Sequence, residues 1–190
     1  VIGVIENQAP TKHLIMELPV INDEIKPNIE KDIAKVALLE RHRPTGRIQV
    51  GLVSGFGFTT KCAVATTVAH DSHQMIVVGT DEEDMAFAAN HLAEIEGGQV
   101  VVSGKKVLGE IKLPIGGLMS KESAQVVAHQ AQTLLEGFKK CGCKLNNPNM
   151  QLSLLGLVVI PELRISDLGL VDVNRFDFIP VIESANNKGE

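Results

Sequence analysis

The sequence has few aromatic residues: they make up 3% of its 190 residues, and tryptophan and tyrosine are absent. Single-stranded nucleic acid is usually bound by stacking its bases on aromatic side chains, so this composition argues against such a site. Positive charge is also scarce, because 18 basic residues face 23 acidic ones and leave a formal charge of −5. Nucleic-acid-binding proteins usually present a basic surface, and we therefore expect no nucleic-acid partner.

Long apolar runs and paired cysteines are lacking as well. No stretch approaches the roughly 20 apolar residues that a membrane-spanning helix needs, so we expect no membrane partner. The apolar residues 1–5 have no basic flank and predict a strand rather than a secretion signal. Cys62, Cys141 and Cys143 are an odd number at irregular spacing, which favours the reducing cytoplasm over a disulfide framework.

The residues that are present favour many short strands. Hydrophobic residues make up 44% of the chain, which is enough to fill a core without aromatic rings. Apolar alternation and turn residues predict strands at 1–6, 11–18, 47–58, 63–68, 75–79, 99–102, 105–113, 152–165 (interrupted at Pro161), 170–173 and 176–182. The strand at 75–79 is apolar throughout, which predicts a central place in a sheet.

Three segments predict helices. Helical spacing of apolar residues between Ile29 and Glu40 predicts a helix near 29–42. Thr80 as the N-cap, with Glu83 three residues later, forms a capping box, and the paired glycines at 97–98 end the helix that it begins. An apolar stripe predicts a third helix, which starts at Ser120 and ends near Gly142.

Strands interleaved irregularly with helices indicate the fold class. We predict an α/β or α+β fold, in which a mixed β-sheet has about three helices packed on it. The length suits one domain, or two small domains closely packed. We assign residues 1–183 to the domain and residues 184–190 to a frayed tail.

A polar cluster, His70-Asp71-Ser72-His73, links two apolar strands and is the main candidate for chemistry. In extended backbone, Asp71 and His73 would share one side, and a carboxylate beside an imidazole can raise its basicity. The other interpretation is a turn in which the side chains of Asp71 and Ser72 bond backbone groups. The residues alone slightly favour the turn.

Two further groups have competing interpretations. Residues 40–43, Glu-Arg-His-Arg, end the first predicted helix, where cations complement the helix dipole, although they could instead contact a polar or anionic substrate. Cys141 and Cys143 could bind a metal or act in redox chemistry, but two thiols are too few for a structural zinc site, and a helix end with incidental thiols is favoured.

Five segments, in order along nearly the whole chain, resemble the C-terminal region of the adenine deaminase family. They are 40–46, 51–57, 68–79 with its continuation to 86, 114–120, and 160–165 with 169–173. The most specific are Val-Ala-His-Asp-Ser-His at 68–73 and Ile-Pro-Glu-Leu-Arg at 160–164.

The resemblance implies a hydrolase acting on the C–N bonds of cyclic amidines. Its reaction, in adenine catabolism, would convert adenine to hypoxanthine and ammonia with water activated by a divalent metal: manganese, iron or zinc. In such amidohydrolases the metal ligands lie on an N-terminal (β/α) barrel and begin with a His-x-His pair. This sequence has no His-x-His pair. We therefore expect an accessory domain of a cytoplasmic homo-oligomer, which binds no cofactor itself and is inactive without its barrel.

The resemblance also implies a site-facing loop at the mouth of the barrel. The candidate catalytic residues are His73, Asp71 and His70, and the candidate substrate-binding residues are Ser72, Glu40, Arg41 and His42. Two other functions stay open: a structural or oligomerisation module, and an independent domain that binds a small molecule.

Overall fold

The computed structural model describes residues 1–183, which contain three helices and thirteen strands. The helices are α1 (Glu82–Glu94), α2 (Ala124–Lys140) and α3 (Pro148–Leu154). The strands are β1 (Ile2–Val4), β2 (Thr11–His13), β3 (Val20–Ile21), β4 (Glu24–Ile25), β5 (Ala34–Leu39), β6 (Ile48–Ser54), β7 (Ala63–Thr66), β8 (Met75–Gly79), β9 (Gly98–Ser103), β10 (Lys106–Lys112), β11 (Leu163–Ser166), β12 (Gly169–Asp172) and β13 (Asp177–Ile179). The predicted tail, 184–190, lies outside the described residues.

Eight strands form one mixed sheet, as predicted. Its order is β10-β9-β7-β8-β5-β6-β1-β2, and the pairs are antiparallel except for the parallel pair of β1 and β6. The central position predicted for β8 is confirmed, and all five of its residues are buried. Strands β11, β12 and β13 form a second, antiparallel sheet, and β3 and β4 form a hairpin.

Helices cover both faces of the large sheet, and because nearly all of its strand pairs are antiparallel, the domain is an α+β fold. Residues of α1 pack with Ala65 and Val77 on one face, and residues of α2 and α3 pack with Val64 and Val78 on the other. This alternation follows from the strand geometry, in which neighbouring side chains point to opposite faces. None of the helices within residues 1–183 is both long and apolar enough to cross a bilayer.

The predicted helix near 29–42 is wrong. The segment contains strand β5, which pairs antiparallel with β6 on one side and with β8 on the other. Because Val36 and Ala37 are buried on opposite faces, residues 36–39 of the strand form an unbroken apolar run, and such a run contains helical spacings by chance. Residues 40–43 therefore follow a strand, and the predicted pairing of their cations with a helix dipole is wrong as well.

The predicted strand at 152–165 is also wrong in its first part. Residues up to Leu154 belong to α3, and only Leu163–Ser166 form a strand. Asn147 starts the helix, because its side chain accepts a hydrogen bond from the Met150 N–H, and Pro148 occupies the first helical turn. Proline at this position is favourable, since the missing N–H would have no partner there.

Two helix starts differ from their predicted positions. The N-cap of α1 is Asp81, not Thr80, whose hydroxyl is instead engaged with the backbone of residues 60 and 62. Helix α2 begins after Ser123 rather than at Ser120. Asp81 directly follows the predicted cap of α1, and Ser123 lies three positions after the predicted start of α2. Both have side-chain oxygens that can accept a backbone N–H, so each segment contains more than one suitable N-cap.

Asp81→Ala is expected to lower the free energy of unfolding by about 1 kcal/mol. Asp81 Oδ1 accepts the N–H groups of Glu83 at 3.1 Å and Asp84 at 3.2 Å. The Asp84 hydrogen bond and Lys61 hold the pKa of Asp81 below its ordinary value of 3.8, so the contribution is present at neutral pH and is lost as the pH falls through the lowered pKa. Urea unfolding measures the change, and Glu122→Ala, at an exposed side chain, is the control.

The family-like segment at 160–164 has a structural role. Arg164 is fully buried, and its guanidinium donates to the carbonyl oxygens of Ile160 and Leu154, both at 2.8 Å, and of Ala9 and Pro161. Burial lowers the pKa of Arg164 to about 10, which leaves the side chain charged at neutral pH. One side chain therefore joins the N-terminal strands to the segment between α3 and β11.

Candidate functional site

The sheet register brings the ends of six strands together on one side of the molecule. Pairs at this side are Leu39 with Ile48 and Met75, Thr66 with Ile76 and Gln99, and Lys112 with Gly98. Three loops leave the sheet there: 40–47, 67–74 and 113–119. We call this end of the sheet, together with the three loops, the site end. The hairpin turn of β9 and β10, residues 104–105, lies at the opposite end.

Arg41 joins all three loops. Its backbone N–H donates to Gln74 Oε1 at 2.9 Å, its Nε donates to the His73 carbonyl at 2.5 Å, and its Nη2 donates to the Gly116 carbonyl at 2.9 Å. Desolvation by burial lowers the pKa of Arg41. Two of its guanidinium nitrogens are thus engaged with backbone carbonyls, and the predicted contact between Arg41 and substrate stays a prediction.

The neighbours of Arg41 add contacts of the same kind. His42 Nε2 donates to the Ser72 carbonyl at 2.6 Å, which requires the proton to be on that nitrogen. The Glu40 carboxylate accepts a hydrogen bond from the Thr45 hydroxyl within its own loop. The structure therefore brings Glu40, Arg41 and His42 beside the His-Asp-Ser-His loop, while their binding to substrate stays a prediction.

The His-Asp-Ser-His loop is a turn, and the extended arrangement is wrong. The His73 N–H donates to the Ala69 carbonyl at 2.6 Å, and His73 has a φ of 50°. The physical reason is topological: β7 and β8 are antiparallel neighbours, so the link between them must reverse direction. Asp71 and Ser72 are exposed, and the hydrogen bonds found within residues 1–183 include none from their side chains.

The two histidine rings of this loop lie edge to face, with their centroids 5.4 Å apart. His73 Nδ1 is buried and has no hydrogen-bond partner within the described chain. Desolvation lowers the pKa of His73, as do the nearby His70 and Arg41, while the Asp71 carboxylate opposes them. His73 is therefore neutral at physiological pH and can take part in proton transfer.

Residues outside the predicted set hold the third loop in place. Thr67 Oγ1 donates to the Gly117 carbonyl at 2.7 Å and accepts from the Gly98 N–H at 2.8 Å. A Cβ on Gly97 would lie 2.6 Å from the Gly117 Cα, so the two backbones touch and no side chain fits there. From the sequence, Gly97 is predicted only to end a helix. Gly117, which it contacts, is indicated only by the family-like segment 114–120.

The remaining candidate chemistry lies elsewhere. Cys62, Cys141 and Cys143 are free and buried, Cys141 ends α2 as the favoured interpretation requires, and burial raises the pKa of Cys143 to about 11. Among residues 1–183, no three His, Cys, Asp or Glu side chains are grouped closely enough to hold a metal ion.

A surface cleft of about 380 Å³ lies away from the site end, beside β2 and β13. Leu14, Leu52 and Ile179 are among its lining residues, whereas no residue of 40–43 or 70–74 lines it. The polar site therefore lies outside this cleft, and its residues His42, Asp71 and Ser72 are exposed. A small substrate bound there would become enclosed only if a further surface covered it.

This geometry defines an α+β domain that presents a polar site at one end of a mixed sheet. The family model of the adenine deaminase C-terminal domain matches residues 8–177. The chain belongs to that family.

Curated relatives agree with the family model. Adenine deaminase 3 of Rhizobium meliloti (strain 1021) is 57% identical over 182 residues, which are 96% of this chain and 31% of that protein. Adenine deaminase of Roseobacter denitrificans is 58% identical over 184 residues, 97% of this chain and 30% of that protein. Adenine deaminase of Brucella anthropi is 47% identical over 178 residues. The chain thus spans about 30% of the length of these relatives.

Proposed function

We propose that this domain is part of a metal-dependent adenine deaminase, which hydrolyses adenine to hypoxanthine and ammonia, and that its site end completes or covers the active site. One observation carries the proposal: three family-like segments, 40–46, 68–79 and 114–120, are far apart in sequence and are joined at one end of the sheet by hydrogen bonds of Arg41. His73, whose pKa is lowered, lies where these segments meet. Groups with shifted pKa values cluster at functional sites, which favours a role in the reaction over a purely structural one.

The residues that the structure describes, 1–183, do not fit a catalytic metal. Residues 1–183 contain no suitable group of donors, and the sequence has no His-x-His pair. We infer that the divalent ion, whether manganese, iron or zinc, is held by the larger part of the enzyme, on an amidohydrolase barrel. Three free thiols agree with a cytoplasmic location, which we also propose, together with a homo-oligomeric assembly.

Within this site, we assign proton transfer to His73. Its neutral ring can accept a proton from the attacking water and then pass that proton to the leaving amino group, and the nearby Asp71 carboxylate raises its pKa. His70 lies against the same ring at 5.4 Å. Ser72 and His42 lie beside it and supply polar groups for the purine.

The test is the pH–rate profile of the complete enzyme carrying Asp71→Asn. The Asp71 carboxylate raises the pKa of His73, so its removal should lower the apparent pKa of the acid limb of kcat/KM and also reduce turnover. Asp23→Asn is the matched control, because Asp23 is an exposed aspartate in the β3–β4 turn, and it should leave the profile unchanged.

The opposite outcome favours a second function. If Asp71→Asn and Asp23→Asn give the same profile as the unmodified enzyme, the loop is outside the active site. The domain would then be a structural or oligomerisation module. Binding of adenine by this chain without the rest of the enzyme would instead favour an independent small-molecule domain.

A further inference from the structure

The geometry points to the loop 113–119 as the surface through which this domain packs against the larger part of the adenine deaminase. The surface consists of three side chains, Ile115, Leu118 and Met119, which we call the apolar knob. The inference rests on the proposed function, because it names the partner that covers the site.

The apolar knob is exposed although its backbone is fixed. Ile115 is 41% exposed, Leu118 39% and Met119 60%. The loop closes on itself, since the Ile115 N–H donates to the Met119 carbonyl and the Leu118 N–H donates to the Ile115 carbonyl, both at 3.1 Å. Three large apolar side chains on one tight loop form a patch of the kind that marks an interaction surface.

Hydrogen bonds hold the apolar knob against the polar site. Arg41 binds the Gly116 carbonyl with Nη2 and the His73 carbonyl with Nε, while Thr67 binds the Gly117 carbonyl. These hydrogen bonds therefore fix the position of the knob relative to the His-Asp-Ser-His loop. A surface that is ordered before binding loses little conformational entropy when a partner packs on it.

The partner follows from the position of the knob and from the length of the relatives. The chain spans about 30% of those relatives, so some 70% of the enzyme lies outside it. The apolar knob and the exposed polar site share the site end of the sheet, and a partner that encloses the site must cover this end. Apolar contact beside a polar reaction site also excludes water from it. The rest of the same enzyme must enclose the polar site, and to do so it would also cover the apolar knob. We therefore assign the knob to this partner.

The experiment uses the complete enzyme with a photo-crosslinking benzophenone amino acid in place of Met119. The matched control carries the same amino acid at Val107, which is 37% exposed and lies at the opposite end of the sheet. After irradiation, mass spectrometry is expected to find links from position 119 to peptides outside these 190 residues within the same polypeptide, several-fold more abundant than those from position 107.

Every other result overturns the inference. Links between two enzyme molecules would make the knob a contact between subunits, and absent or equal links at the two positions would remove its special role. Failure of the proposed function remains distinguishable, because crosslinking does not depend on turnover. Links from position 119 together with an unaffected Asp71→Asn enzyme would keep the docking surface and reject the reactive loop.

Discussion

His73→Ala in the complete enzyme is expected to lower kcat/KM for adenine by about 10²–10⁴-fold, the range usual for loss of a general acid or base. Burial and the nearby charge of Arg41 keep the ring neutral at physiological pH, so it is ready for proton transfer. Its backbone is held at both ends, since the N–H binds Ala69 and the carbonyl binds Arg41. These bonds use backbone atoms, so the alanine variant should keep the shape of the loop.

The matched control for this substitution is His129→Ala, which removes an exposed histidine on α2. It should leave kcat/KM for adenine unchanged, and both variants should have the circular dichroism spectrum of the unmodified enzyme. Equal activity of the two variants would contradict a role for His73 in proton transfer. Loss of activity in both would indicate a general defect in folding rather than a specific one.

Arg164→Met is expected to lower the free energy of unfolding by about 3–5 kcal/mol, the sum of two or more buried acceptors losing their partner at about 1–3 kcal/mol each. The guanidinium binds four backbone carbonyls, and methionine can fill the space but can donate to none of them. Urea unfolding of the 190-residue chain measures the loss.

Arg175→Met provides the comparison for Arg164, because Arg175 is an exposed arginine between β12 and β13. Its effect should stay within about 0.5 kcal/mol, as is usual for surface substitutions. A similar small change for Arg164→Met would mean that water or a local shift satisfies the four carbonyls. The specific family-like segment at 160–164 would then need an explanation other than stability.

Much of the fold could be predicted from local patterns. The β9–β10 hairpin and the bodies of α1 and α2 were predicted because each shows a period bounded by turn residues, and strand β8 was predicted as an apolar run too short for a helix. Strand β5 could not be predicted. It is buried on both faces and so has no period of two, and the apolar residues from Ile29 onwards extend its run to the length and spacing of a helix. Helix α3 has seven residues, too few for a helical period to show against the apolar run that follows.

The candidate site was predicted in its residues but not in its geometry. The resemblance singled out the segments around Glu40, His70 and Gly116, and the strand order that brings them together is not the order of the sequence. The roles of Gln74 and Thr67 depend on that order, because their hydrogen bonds join loops 33 and 50 positions apart. Such contacts leave no local pattern from which they could be predicted.

The engagement of Arg41 with three loops makes these stretches interdependent in any redesign. Its planar guanidinium reaches two carbonyls in different directions, which the single ammonium group of a lysine cannot reproduce. A chimera that takes only residues 68–74 from a relative would combine a new loop with the original residues 40–46 and 114–119, whose backbone positions are adapted to the original loop. Grafting for altered substrate preference should therefore exchange all three loops together, with the arginine that connects them.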